Sequence, residues 1–388
     1  MEGVFGKYFK GDRIIWLIVI ILSIFSLLAV YSSTGSLAYR YQGGNTGYYL
    51  IKQFTFLLAG LIVVFLVHMI SYKVYSPLSK VFLLISIPLL LVTLVFGASL
   101  NQAARWLAIP GLGVTIQTSD IAKLALIMYV ARILSQRQDE IKDFKRAFIP
   151  IVAPVALICL LILPANFSTA ALLGITCWLL MFIGRINMKH LLGFTGIGIA
   201  LIGVFIFIAL QFKLVNRVET WKHRIENFAS GEGDGNYQVE QSKIAIATGG
   251  IVGKGPGNST QRNFIPHPYS DFIFAIIVEE YGLIGGVVIL LLYLILLFRA
   301  GVIVKKANRT FPAFLAIGLS LLLVFQAFVN MMVAVNLIPV TGQPLPLVSM
   351  GGTSLFFTSA AFGIIISISR SQSKSELFDG EEELKDNN

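Results

Sequence analysis

Charge is scarce in this chain: 13% of its 388 residues are Asp, Glu, Lys or Arg, against about 25% in a typical soluble domain. With 56% of residues hydrophobic, that shortage excludes a water-soluble fold. Cysteine is nearly missing as well. Cys159 and Cys177 both fall in apolar runs without metal-ligand spacing, and read as small buried hydrophobes. Histidine is thin, and His68, His190, His223 and His267 form no cluster that would support a metal site. The net charge of +10 is no sign of nucleic-acid binding, because the basic residues are scattered between apolar runs rather than gathered on one stripe.

What the chain has is apolar length, with a mean hydropathy of +0.80. Runs of roughly 20 residues, the length that crosses a hydrocarbon core as a helix, occur at 14–32, 50–69, 80–97, 119–135, 148–164, 168–184, 190–211, 272–298, 311–337 and 351–369. The fold class is therefore an all-α integral membrane protein with about ten transmembrane helices. One large extracytoplasmic loop, 212–271, lies between helices 7 and 8. Residues 1–13 form a cytoplasmic N-terminus, 14–370 the membrane domain and 371–388 an acidic cytoplasmic tail expected to be disordered. The first run is too long for a cleaved signal and reads as a retained span.

Lys and Arg fix the orientation. Alternate short loops hold Lys7, Lys10 and Arg13, Lys73 and Lys80, 137–146, Arg185 and Lys189, 299–309, and Arg370 with Lys374. The opposite side has only Arg40, Lys52 and Arg105. The positive-inside pattern places both termini in the cytoplasm.

Ionisable residues at membrane depth are costly and point to function. Asp120 and Lys123 share a helix face, three residues apart. A helix start capped by Thr118 or Ser119 would explain Asp120 but not the cation one turn later. Arg105-Trp106 is either an interfacial anchor or a phosphate contact. Gly249, Gly250, Gly253, Gly255 and Gly257 lack the strand and Lys-Ser pair of a nucleotide loop. They read as letting backbone approach a ligand or turn tightly at the membrane surface. Asp271 opens the eighth run, as a helix cap or as a functional acid.

Asp271-Phe-Ile-Phe-Ala-Ile followed by Glu279-Glu280-Tyr281-Gly282 resembles the hallmark segment of the SEDS proteins, the family of FtsW, RodA and SpoVE. The resemblance runs from residue 12 to about 370. It includes Asp12-Arg13, Ala104-Arg105-Trp106, Gln117-Thr118-Ser119-Asp120 with Lys123, and Tyr237-Gln238 with Gln241-Ser242. It continues through Gly257-Asn258-Ser259, Gln326, Asn330 and Pro339 to Ser349-Met350-Gly351-Gly352. Asp12-Arg13 and Gly257-Asn258-Ser259 lean toward the cell-division branch. Two departures stand out: Asp120 replaces the usual Glu, and Asn166 stands where the family usually has Asp.

The resemblance implies a peptidoglycan glycosyltransferase that polymerises lipid II, a disaccharide-pentapeptide on undecaprenyl pyrophosphate, at the outer face of the cytoplasmic membrane. It implies inversion at the anomeric carbon, with Asp271 as general base. The substrate-binding candidates are Arg105, Lys123, Asp120, Gln117, Gln241, Ser242, Glu279, Ser349, Gly351 and Gly352. No protein metal site or organic cofactor is expected, and a divalent cation such as Mg2+ could bridge the phosphates. The implied partners are a class B penicillin-binding transpeptidase, other divisome membrane proteins and membrane lipids, with septal wall synthesis as the setting. A lipid II flippase, an elongation-type polymerase and a division scaffold are the rival readings.

Overall fold

The computed structural model describes residues 10–100, 103–108, 115–212, 224, 226–228 and 234–386. Helices dominate. Their order is α1 Arg13–Ser33, α2 Gly35–Tyr41, α3 Thr46–Met69, α4 Tyr72–Phe96, α5 Thr118–Gln136, α6 Ile149–Ile162, α7 Phe167–Ile183 and α8 Met188–Phe212. After the long loop come α9 Asp234–Gly249, α10 Ile273–Lys306, α11 Thr310–Ala334 and α12 Ser354–Asp386.

Among the described residues, seven helices are long and apolar enough to cross a membrane: α1, α3, α4, α6 with the π-helical turn Phe144–Phe148 before it, α10, α11 and the first part of α12. The remaining apolar runs are also helical. α5 carries Asp120, Lys123 and Arg132, whereas α7 is 17 residues long.

Burial grades the helices from centre to edge. In the most apolar stretch of α11, 72% of residues are buried, against 22% in α3 and 28% in α4. The outer faces of α3 and α4 expose Ile51, Leu84 and Val95, apolar area suited to contact with lipid. α12 packs chiefly on α3, α4 on α5, and α10 on both α9 and α11.

Three features depart from the sequence reading. First, the segment before α5 contains an antiparallel sheet of β1 Ala98–Leu100, β2 Ala103–Ala108 and β3 Thr115–Gln117, with Trp106 opposite Gln117. Second, α10 is broken at Gly282 (φ 68°, ψ −171°), so the predicted eighth span is two helical pieces. Third, α12 carries helix to Asp386, through most of the tail expected to be disordered. Glu376, Leu377, Glu381–Glu383, Leu384 and Lys385 are good helix formers, and backbone propensity needs no apolar core.

The glycine-rich stretch explains the break. A Cβ on Gly249 would lie 2.2 Å from the Val278 carbonyl, and one on Gly253 2.2 Å from that of Glu280. The stretch docks there through Lys254 N–H to Glu279 O (3.0 Å) and Gly255 N–H to Glu280 O (2.9 Å). From the other side, Leu283 N–H donates to Gly250 O at 2.9 Å. Gly249 and Gly253 thus admit α10's own backbone.

Candidate functional site

Asp271 sits in the turn just before α10, and its main chain is held from outside that helix. Three successive carbonyls are each taken by a separate donor. Met350 N–H donates to Tyr269 O at 2.9 Å, Ser349 Oγ to Ser270 O at 2.7 Å, and Asn330 Nδ2 to Asp271 O at 2.9 Å. The carboxylate itself stays half-buried and accepts from Ser270 Oγ at 2.9 Å. It is not a helix cap: Phe272 occupies the N-cap position, which has no side-chain cap. A Cβ at Gly342 would stand 3.5 Å from Asp271 Oδ2, so at that position the strap approaches the carboxylate with backbone that carries no side chain.

The donors come from α11 and from a strap, 335–353, that joins α11 to α12 without regular helix. Its middle is buried, with Gln343, Leu345, Leu347, Val348 and Ser349 all under 5% exposed. Irregular backbone can lie that deep only if its polar groups find partners. They do: Asn330 binds Gln343 O (2.8 Å), Gln326 binds Pro344 O (2.9 Å), Tyr293 binds Pro346 O (2.5 Å) and Ser26 binds Val348 O (2.8 Å). The Gln343 side chain donates to Thr169 Oγ1 on α7 at 2.8 Å. Asn166 caps that helix by accepting from Thr169 N–H at 3.3 Å, a task in which Asn and Asp serve about equally.

Lys123 Nζ and Asp120 Oδ1 pair at 2.8 Å with side chains 10% and 3% exposed, and Lys123 also donates to Gln326 Oε1 at 3.4 Å. Gln326 in turn holds the strap, so the ion pair reaches the Asp271 frame indirectly. Of the helix-start explanation for Asp120, the placement in the first turn holds and the expected cap does not. The N-cap of α5 is Gln117, with no side-chain cap, rather than Thr118 or Ser119. The cation that the dipole argument left unexplained has its partner in Asp120.

Several other residues expected to meet substrate are spent on structure. Ser349 bonds Ser270 O and Leu345 N–H, and Ser242 donates to Ala334 O at 2.7 Å. Glu279, fully buried, receives Lys254 Nζ at 2.6 Å, the Ser259 hydroxyl and the Thr260 amide at 3.1 Å. Glu280 binds the Ser32 hydroxyl and the Ser259 amide, beside Arg262, whose Nη1 reaches Ser32 O at 3.0 Å and Gly257 O at 2.9 Å. The two glutamates therefore clasp the glycine-rich loop and α1 to α10, at a distance from Asp271 of about two helical turns. Gln117 donates to Ser119 Oγ at 3.1 Å. Gln241, Gly351 and Gly352 are half-buried, and the neighbouring Thr353 donates to Thr115 O of β3 at 2.9 Å. The Arg105 side chain lies outside the described residues.

Arg224, in the long loop, is a residue the sequence reading passed over. Its Nη1 donates to Val340 O at 2.9 Å. Burial pushes its guanidinium below the ordinary arginine value, and the negative charge of Asp271 pulls it back up. Nothing local marks it, because it is one of several basic residues in that loop. Among the described residues, no three His, Cys, Asp or Glu side chains gather to hold a metal ion. Asp271 alone is a poor protein site for a divalent cation, which would take most of its oxygens from a phosphate-bearing substrate.

Residues 12–374 match the FtsW, RodA and SpoVE family of cell cycle proteins. The chain is 31% identical to the stage V sporulation protein E of Bacillus subtilis, over 94% of this chain and 98% of that protein. It is 32% identical to a Geobacter metallireducens protein named "Probable peptidoglycan glycosyltransferase FtsW", over 93% and 95% of the two. Among solved structures, a chain of a peptidoglycan synthase complex that coordinates polymerization and crosslinking superposes with a TM-score of 0.72 at 25% identity, covering 93% of this chain and 98% of that one. The rod shape determining protein RodA of Thermus thermophilus shares the fold, with a TM-score of 0.66 at 22% identity over 94% and 99%.

Proposed function

The chain belongs to the FtsW, RodA and SpoVE family, and from that premise we propose that it is an inverting peptidoglycan glycosyltransferase that polymerises lipid II. The observation that carries the mechanism is Asp271: a carboxylate left accessible while the backbone beneath it is bound at three consecutive carbonyls. A general base needs that combination of reach and fixed position.

In the reaction, Asp271 takes the proton from the glucosaminyl 4-hydroxyl of one lipid II. The freed oxygen attacks the anomeric carbon of the growing strand, and undecaprenyl pyrophosphate leaves with the bonding pair. One displacement converts the α-linked donor into a β-linked product. No second carboxylate is required as nucleophile, in contrast to retaining chemistry. Arg105 is the proposed pyrophosphate contact, since guanidinium pairs bidentately with phosphate oxygens. Lys123, paired with Asp120, acts through Gln326 on the strap. A divalent cation, when bound, would neutralise the leaving pyrophosphate.

The reading includes ten spans, cytoplasmic termini and an outward-facing 212–271 loop, supported by the Lys and Arg distribution. A class B penicillin-binding transpeptidase as partner and a septal site of action are supported by the relatives' names and by the complex that the chain resembles. The test is glycan-strand synthesis from purified lipid II by the chain with its transpeptidase. The parent makes polymer and a folded, partner-bound Asp271→Asn variant makes none. Equal polymer from both would reduce Asp271 to a structural residue. Lipid II translocation in liposomes that survives Asp271→Asn, without polymer, would replace the enzyme by a flippase.

A further inference from the structure

Described residues of the long loop and the strap line an open cavity of about 120 Å³, formed by Arg224, Asn227, Phe228, Asn236, Gln238 and Asn336 against Pro339 and Val340. It lies on the Asp271 side of the molecule. Arg224 faces both the cavity and the Asp271 charge, and its bond to Val340 O anchors the wall two residues before Gly342, the neighbour of Asp271 Oδ2.

The chemistry of the lining is specific. Four of the side chains are carboxamides, each able to donate and to accept, which matches the hydroxyls and acetamido group of an aminosugar. Phe228, 40% exposed, offers an apolar face for a sugar ring. Arg224 is the one cation among the described lining residues, and its Nη1 is already taken by Val340 O.

We propose that this cavity is the acceptor subsite, holding the N-acetylated saccharide whose hydroxyl is presented to Asp271, with the pyrophosphate of the donor bound elsewhere. The assignment rests on the glycosyltransferase reading above and adds which part of which substrate the loop recognises. Phe228 is then a binding residue, Gln238 lies at the pocket wall, and Arg224 positions that wall against the base.

The experiment uses the full chain with its transpeptidase partner, carrying Gln238→Cys in a Cys159→Ala, Cys177→Ala background. A membrane-impermeant maleimide reports access to the cavity. A probe at ten times its Kd slows labelling about tenfold, because the free fraction falls as 1 + [L]/Kd. The lipid-free N-acetylglucosaminyl-N-acetylmuramyl pentapeptide is expected to protect, and undecaprenyl pyrophosphate is not. Protection should survive Asp271→Asn and be lost in Phe228→Ala. The reverse pattern, with undecaprenyl pyrophosphate protecting and the saccharide not, would make the cavity a phosphate site and overturn the proposal. So would no protection by either probe. If Gln238→Cys does not label, Asn336→Cys on the opposite wall is tested, and failure of both to label closes the cavity to substrate and ends the proposal. Polymer from the parent without saccharide protection defeats the subsite alone. No polymer from the parent defeats the glycosyltransferase reading, and the labelling result still stands separately.

Discussion

Asp271 owes its place to bonds made by its main chain, and this sets which neighbouring substitutions matter. Asn330 holds two carbonyls at once, those of Asp271 and Gln343. Asn330→Ala leaves both without that donor, at about 1–3 kcal/mol for each buried group left unsatisfied. A lowered unfolding midpoint in detergent, together with a fall in polymer synthesis, is the expected pair of results. A drop in stability with full activity would detach Asn330 from the site. The Asp120–Lys123 pair makes a second case. Lys123→Met strands a buried carboxylate and should cost about 3–5 kcal/mol, while Lys123→Met with Asp120→Asn should recover most of it. If the single variant unfolds no earlier than the parent, the pair is not a structural unit. Asp271 was singled out in the sequence by the family resemblance, since an acid opening an apolar run reads equally as a helix cap. Arg224 was not, because only the folded loop sets it beside Asp271, and no local pattern separates it from other loop cations.

At the level of elements, the glycine-rich loop and the broken α10 form one joint. Gly253 has φ 88° and Gly282 φ 68°, and each touches the other's strand of backbone. Gly253→Ala would combine an unfavourable backbone conformation with a carbon 2.2 Å from the Glu280 carbonyl. The loop should detach, exposing Lys254 and Arg262 to trypsin faster than in the parent, while cleavage at the exposed Lys145 stays unchanged. Equal rates at all three would mean that the joint tolerates a side chain. The sequence announced special backbone here, since five glycines crowd nine positions. It did not say what approaches them, because a glycine admits a ligand and a neighbouring carbonyl equally well. The β1–β3 sheet was missed for a related reason. Its strands are three to six residues long, and Gly and Pro in the intervening segment suggest only a turn.

For the whole molecule, apolar run length gave nearly every helix, because the bilayer dictates both length and composition. It could not tell a central helix from a peripheral one, since both are apolar all round; burial separates α11 from α3 and α4. Leu84, 69% exposed at the middle of α4, should face lipid. Leu84→Arg is expected to reduce membrane insertion by roughly 2.5–3.5 kcal/mol, whereas Leu84→Phe inserts normally. Carbonate-resistant membrane yield measures both, and equal yields would place that face against protein.

The frame around Asp271 also has an order in time. Asn330 and Ser349, which hold Asp271 and Ser270, follow them by 59 and 79 residues in the chain. At about 5–20 residues per second, the ribosome delivers the last of these donors roughly 4–16 s after the carboxylate they anchor. A half-made chain in the membrane thus carries the acid but not its mounting. The proposed polymerase would therefore lack a fixed base until the strap carrying Ser349 has been made and packed.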